Sequence, residues 1–361
     1  MKSCFVQDSG NTVLKNVPAD YFPPGREKWF VIPDGDDAGK KLFFYDVTYG
    51  EGNPEVVLLF VHGNPESSYT YRKIRSGLEQ LSGRPYRLVM MDHIGFGLSD
   101  QADFEMVDMH HAANLIQLVT ALDLRNITLI VHDWGGPIGI GALLREPERV
   151  SSLVLLNTMV FPMPPDGPTY ENYPVPVKAL SWSGYPDLVP NRFWGAHAAF
   201  AVFTPPRNPV SLLGHYFIYQ LRVMLNMLPE PDRTAQNVFI NQFKSRMNAL
   251  SSKRMVRQTP VWGHGYTYHD KIRGKQDNHD FYRFIQETIT PAWGPAGQNI
   301  GARALFGAWD PLAKDSILAR WRTALPQLEG HIRLFEMVSH FVEEHKPLEI
   351  AREIAGVAGL V

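Results

Sequence analysis

Residues 127–141 read Ile127-Thr128-Leu129-Ile130-Val131-His132-Asp133-Trp134-Gly135-Gly136-Pro137-Ile138-Gly139-Ile140-Gly141. The first five are a β-branched-rich run, apolar but for Thr128, which predicts a strand buried on both faces. Small apolar residues from about 137 to 144 predict a helix packed closely on its neighbours. Only His132 to Gly136 remain for the connection, so the chain must turn sharply, and Gly135 and Gly136 supply the small residues such a turn needs. Asp133 sits at its apex. A strand that passes directly into a helix is one unit of a parallel α/β sheet.

The same rhythm extends outward. Residues 56–61 and 87–91 are further buried-strand runs, and residues 108–122 carry Met109, Ala112, Ala113, Ile116, Val119 and Leu122 at helical spacing. Another strand is expected at 153–156. Beyond Asn157 the alternation stops, and Pro and aromatic residues such as Phe161, Trp182, Trp194, Tyr266 and Tyr268 accompany helical patches. Strand and helix resume at 302–306, 316–325 and 332–335, and a hairpin is expected from 29–32 and 41–47. The predicted organisation is a sheet domain formed by 1–159 and 300–361, interrupted by a helical cap at 160–299.

Composition narrows the function classes. The 361 residues are 44% hydrophobic with a formal net charge of −2, which suits a sizeable core and gives no basic footprint for nucleic acid or an anionic membrane. A small neutral organic substrate fits that balance. The one cysteine, Cys4, allows no intramolecular disulfide and agrees with a reducing compartment. Residues 1–12 lack the apolar stretch of a signal peptide, and no segment offers about 18 consecutive apolar residues for a membrane span. A cytoplasmic location is expected; oligomeric state is left open.

An Asp at a strand–helix turn suggests specific chemistry. A carboxylate with an ordinary pKa near 3.9 is ionised at neutral pH and can attack an electrophilic carbon without a base. The resulting ester needs a water activated by a second group. His340, just beyond the last predicted strand, is the candidate base, and Asp310, after the preceding strand, is the candidate acid that holds its tautomer. Asp133, Asp310 and His340 follow the chain order nucleophile, acid, histidine known for strand–turn–helix nucleophiles.

Several stretches together resemble haloalkane dehalogenases of the α/β-hydrolase superfamily. They are residues 122–129 leading into His132-Asp133-Trp134-Gly135-Gly136, the segment from His62-Gly63-Asn64-Pro65 to Ile74, Asp92-His93-Ile94-Gly95-Phe96-Gly97-Leu98-Ser99-Asp100, and His340-Phe341-Val342-Glu343-Glu344. The resemblance implies an α/β-hydrolase fold with a covalent aspartyl ester on Asp133. It also implies that the Asn64 side-chain amide and the Trp134 indole N–H hold a departing halide, as neutral donors aimed at developing charge would. Small haloalkanes and water are the implied reactants, with no cofactor. Asn157 stands where some relatives carry a catalytic Glu, which favours Asp310. An epoxide hydrolase shares the same Asp-His-Asp set and uses cap tyrosines, which Tyr170, Tyr173, Tyr185, Tyr216, Tyr219, Tyr266 and Tyr268 could supply; Asn64 favours the dehalogenase. Cap aromatics, Trp182 and Trp194 among them, are candidates for a further donor.

Other motifs read more plainly. Gly95-Phe96-Gly97 lacks the third glycine and ribose acid of a dinucleotide site and is expected to be a turn. His110-His111 and the pair His264 and His269 lack metal-ligand spacing, so no metal is implied.

Overall fold

The computed structural model describes residues 4–169, 184–205, 209–230 and 232–361. A nine-stranded sheet is built from β1 (Phe5–Val6), β2 (Glu27–Val31), β3 (Lys41–Tyr49), β4 (Val56–Val61), β5 (Tyr86–Met91), β6 (Ile127–His132), β7 (Val150–Leu156), β10 (Gly301–Gly307) and β11 (Ile332–Phe335). Their order is β1-β2-β3-β5-β4-β6-β7-β10-β11. The first three strands and the β3–β5 pairing are antiparallel, and every pairing from β5 to β11 is parallel.

This is the α/β-hydrolase fold expected from the sequence. β6 lies near the centre with all six residues buried. Each fully buried Leu, Ile or Val there contributes roughly 1.5–3 kcal/mol. One apolar layer packs on each face of the sheet. On one side α1 (Arg72–Leu81) packs against α12 (Pro347–Val357); elsewhere α2 (Asp108–Ala121) and α3 (Gly135–Leu143) pack together. α10 (Asp315–Ala324) joins β10 to β11, and a short α11 (Val342–His345) precedes α12.

Between β7 and β10 the described residues form α4 (Tyr185–Leu188), α5 (Asn191–Phe203), α6 (Pro209–Met224), α7 (Asp232–Gln242), α8 (Arg246–Arg257), a small hairpin of β8 (Thr267–Asp270) and β9 (Gly274–Asp277), and α9 (His279–Trp293). α5 is the hub of this group, packing on α6, α7 and α8. α9 instead packs on α3 of the sheet domain. The end of the segment set apart by composition therefore lies against α3, because the buried face of α9 (Tyr282, Ile285, Ile289, Trp293) matches the small-residue surface of that helix. No helix among the described residues is long and apolar enough to cross a membrane.

Candidate active site

β6 delivers Asp133 to the rim of the sheet, where its φ of 51° turns the chain into α3. That left-handed geometry is unfavourable for a non-glycine residue and persists only where its surroundings fix it. The Thr158 hydroxyl donates to the Asp133 carbonyl (2.6 Å) and the Asp133 N–H donates to Leu156 (3.3 Å). Gly135 is required by contact: a Cβ there would lie 2.2 Å from the Val61 carbonyl oxygen.

The Asp133 carboxylate is buried and has two partners. Oδ1 meets His340 Nε2 at 3.0 Å, and Oδ2 accepts the backbone N–H of Asn64 at 2.7 Å. His340 Nδ1 meets Asp310 Oδ2 at 2.6 Å. The three residues named from the sequence are therefore one hydrogen-bonded chain. The Asp310 loop is braced from three sides: Leu312 N–H on its Oδ1 (2.7 Å), Trp309 N–H on the Val338 carbonyl (2.9 Å), and Gly307 N–H on the Asn157 side-chain oxygen (2.9 Å). Asn157 thus supports the acid's loop. Burial by itself would depress the His340 pKa, but the Asp310 charge and the hydrogen bonds to Asp133 and Asp310 outweigh it and hold the imidazole well above its usual range.

Asn64 and Trp134 flank this carboxylate from the β4 loop and the start of α3. The Trp134 ring stacks on Trp262, with centroids 3.7 Å apart and planes 11° from parallel. Among the described residues its indole N–H has no hydrogen-bond partner. The Asn64 side chain is held by Ser252 of α8: Nδ2 donates to the Ser252 carbonyl (3.3 Å) and Oδ1 accepts from the Ser252 hydroxyl (2.5 Å). Ser252 and Trp262 were not legible in the sequence. Of the aromatic candidates, Trp194 donates to Ser252 Oγ (2.8 Å), one residue removed from Asn64. The hydroxyls of Tyr219, Tyr266 and Tyr268 are engaged with Gln236, Arg254 and the Glu105 carbonyl, respectively. Trp182, Tyr170 and Tyr173 lie outside the described residues.

Beneath the site lies a second buried group. His132 Nδ1 meets Glu66 Oε2 (2.8 Å) and its Nε2 meets the His340 carbonyl (2.9 Å), while the Thr70 hydroxyl lies 3.0 Å from both Glu66 Oε1 and Glu343 Oε1. Burial opposes a charge on His132, but the carboxylates of Glu343 and Glu66 raise its pKa to about 9. Burial likewise opposes ionisation of Glu66, yet His132 lowers its pKa to about 2, whereas burial pushes Glu343 well up. His132 and Glu66 form an imidazolium–carboxylate pair with Glu343 beside it. Glu66, His132 and Glu343 have the spacing of a metal site. An imidazole donating through both nitrogens has no lone pair for a metal, however.

The remaining motifs are scaffold. Asp92 accepts from the Tyr21 hydroxyl (2.7 Å) and from the N–H groups of Ser68 (2.7 Å) and Leu98 (2.8 Å), and Gly95 and Gly97 take left-handed turns. His110 meets Gln276 (2.9 Å) and His111 is buried against His93 and Phe96. A surface cleft of about 690 Å³, lined by residues including Asp37, His110, Gln276 and Phe281, contains none of the candidate site residues.

Comparison with known proteins places the chain by family and fold. A family model described as alpha/beta hydrolase fold matches residues 56–195. A cis-3-alkyl-4-alkyloxetan-2-one decarboxylase of Xanthomonas campestris pv. campestris is 39% identical over 310 residues, 82% of this chain and 86% of that protein. A haloalkane dehalogenase of Mycolicibacterium smegmatis is 32% identical over 241 residues, 64% of this chain and 67% of that protein. Among solved structures, the tetrameric haloalkane dehalogenase DpaA from Paraglaciecola agarilytica NO2 superposes with a TM-score of 0.61 at 19% identity, covering 92% of this chain and 93% of that one, a likeness of fold.

Proposed function

The chain belongs to the α/β-hydrolase family, with haloalkane dehalogenase-like enzymes as its relatives, and we propose that its site displaces an anionic leaving group from saturated carbon with the Asp133 carboxylate. The observation that carries this reading is the carboxylate at the elbow, its Oδ2 held by the Asn64 N–H and its Oδ1 on His340. Such a group is ionised at neutral pH and forms an alkyl ester directly. The donors beside it, Asn64 Nδ2–H and Trp134 Nε1–H, face charge that develops only as the bond breaks.

The proposed substrate is a four-membered lactone carrying two alkyl chains, a class favoured by the 39% identity to the oxetanone decarboxylase over most of both chains. Asp133 attacks C4, the C4–O bond breaks, and the freed carboxylate is the leaving anion that Asn64 and Trp134 receive. The bond from C3 to that carboxylate then breaks, and its electron pair forms the C3–C4 double bond. The C4–O bond to Asp133 breaks in the same step. The products are carbon dioxide and an alkene, with the Asp133 carboxylate regenerated and no water consumed. Inversion at C4 followed by anti elimination turns a cis lactone into a cis alkene.

A second reading is hydrolytic dehalogenation, supported by the same two donors and by the 32% identical dehalogenase. Its first step is identical with halide leaving. In the second, His340 deprotonates water, which attacks the ester carbon of Asp133 and releases an alcohol. The Asn64 N–H is already placed on the oxygen that becomes the oxyanion. Esterification also removes the Asp133 charge beside His340, so the imidazole gives up its proton more readily when a base is needed. The epoxide-hydrolase alternative has less support, since the hydroxyl protons of Tyr219 and Tyr268 are donated to Gln236 and the Glu105 carbonyl.

One assay separates the readings. The protein is incubated in ¹⁸O-water with a cis-3,4-dialkyl-oxetan-2-one and, separately, with a 1-bromoalkane. The expected result is cis alkene and carbon dioxide from the lactone, with no ¹⁸O in the organic product. Bromide and ¹⁸O-alcohol from the bromoalkane, with the lactone untouched, would replace the lactone reading with the dehalogenase. Diol from an epoxide, and nothing from either other substrate, would replace both.

A further inference from the structure

We propose that Ser252, on α8 of the cap, is a positioning residue that fixes which end of the Asn64 amide faces the leaving group. The inference rests on the reading of Asn64 as an anion donor and goes beyond it in naming what makes Asn64 a donor.

The argument is one of hydrogen-bond inventory. An indole N–H can only donate. Trp194 Nε1 lies 2.8 Å from Ser252 Oγ, so that oxygen must accept there. The single Ser252 hydroxyl proton is then available to the other neighbour at hydrogen-bond distance, the Asn64 side chain at 2.5 Å. The Ser252 main-chain carbonyl can only accept, so the Asn64 atom facing it is Nδ2, and the atom at the hydroxyl is the acceptor Oδ1. The nitrogen end donates one hydrogen to the Ser252 carbonyl at 3.3 Å. One serine thus captures both ends of the amide, its hydroxyl taking the oxygen and its backbone the nitrogen. The second Nδ2 hydrogen, with no partner among the described residues, is left for an anion in the site.

The electrostatic consequence is large for so small a contact. A primary amide is nearly symmetric in shape but opposite in dipole at its two ends. Without the clamp, a half-turn about the terminal torsion would present a carbonyl oxygen to an anion in a buried site, where repulsion is weakly screened. Asn64 and Ser252 are both buried, so water does not readily replace the clamp. The orientation originates on α5, passes through Ser252 on α8, and ends on the β4 loop. Cap and sheet domain thereby share one donor.

The test uses inorganic bromide as the probe, with affinity read from quenching of tryptophan fluorescence in the intact protein. Asn64→Ala is expected to weaken bromide binding on the order of 100-fold, as loss of one donor at a buried anion site does. Ser252→Ala is expected to weaken it about 10-fold in the wild-type background and not at all in Asn64→Ala, because it acts only through that amide. Ser252→Thr, which keeps the hydroxyl, should restore binding, and melting temperatures control for folding. A Ser252→Ala effect that persists in the Asn64→Ala background would assign Ser252 a general structural role and overturn the proposal. So would unchanged affinity in Ser252→Ala alongside weakened affinity in Asn64→Ala. Unchanged affinity in Asn64→Ala itself, or no bromide binding by the wild type, would instead remove the anion-donor reading and the proposal with it.

Discussion

His132 Nε2 lies 2.9 Å from the main-chain carbonyl oxygen of His340, and its other ring nitrogen lies 2.8 Å from Glu66. Both neighbours are acceptors, so both ring nitrogens must carry hydrogen and His132 is an imidazolium. Glu66 Oε2 also accepts the Gly63 N–H at 3.0 Å. One buried charge pair therefore ties together the turn before Asn64, the residue before Asp133 and the loop that carries His340.

That pair, together with His340, whose pKa is likewise held well above its ordinary value, shapes the alkaline limit of stability. The folded pKa of His132 is raised to about 9 from an unfolded value of 6.5, so its contribution is complete below pH 6.5 and is lost as pH rises through about 9. On the acid side, burial lowers the pKa values of His62, His93 and His111. Those three stay neutral when folded but take up protons when unfolded, so stability falls as pH drops below 6.5. Melting temperature should therefore be highest near pH 6.5, falling on the acid side as the unfolded histidines take up protons and on the alkaline side between about pH 6.5 and 9. Glu66→Gln should lower it by the loss of a buried ion pair, about 3 kcal/mol, and flatten the alkaline limb. An unchanged alkaline limb in this variant would contradict the pairing.

His340→Phe separates the two proposed reactions. The imidazole is needed to activate water but not to ionise Asp133. With a 1-bromoalkane the variant should release one equivalent of bromide and hold the alkyl group as an ester, visible by intact-mass spectrometry and mapped to Asp133. With the lactone it should still form alkene, since elimination consumes no water. Loss of alkene formation from a folded variant would place a proton transfer in the lactone route.

Asp310→Asn should slow ester hydrolysis more than ester formation, because the acid acts by orienting His340 across a 2.6 Å hydrogen bond. Pre-steady-state halide release measured beside steady-state turnover resolves the two rates. Equal slowing of both would mean that Asp310 also organises the first step.

Gly63→Ala should abolish turnover and lower the melting temperature. A Cβ at this position would lie 2.5 Å from Asp133 Oδ2 and 2.6 Å from Asp133 Cβ, so the carboxylate must leave the Asn64 N–H or the turn must shift. Near-normal activity in this variant would show that the observed carboxylate position is dispensable.

Locally determined features were legible in the sequence. The buried run 127–131, the two glycines after Trp134 and the helix that follows can hardly adopt another arrangement, because apolar periodicity and the steric limits of a sharp turn act between near neighbours. That placed Asp133, and chain order together with family resemblance placed Asp310 and His340. What only the tertiary structure decided are the contacts made across the sequence. Ser252 is 188 positions from Asn64, and Glu343 lies 273 positions from Thr70. Trp262 meets Trp134 only through packing between segments more than 100 positions apart, and the apolar face of α9 packs on α3. A serine in a polar helix and a glutamate near a terminus look like solvated residues in sequence. Their partners are chosen by how packed elements meet, and a buried polar group must then be satisfied wherever that packing puts it.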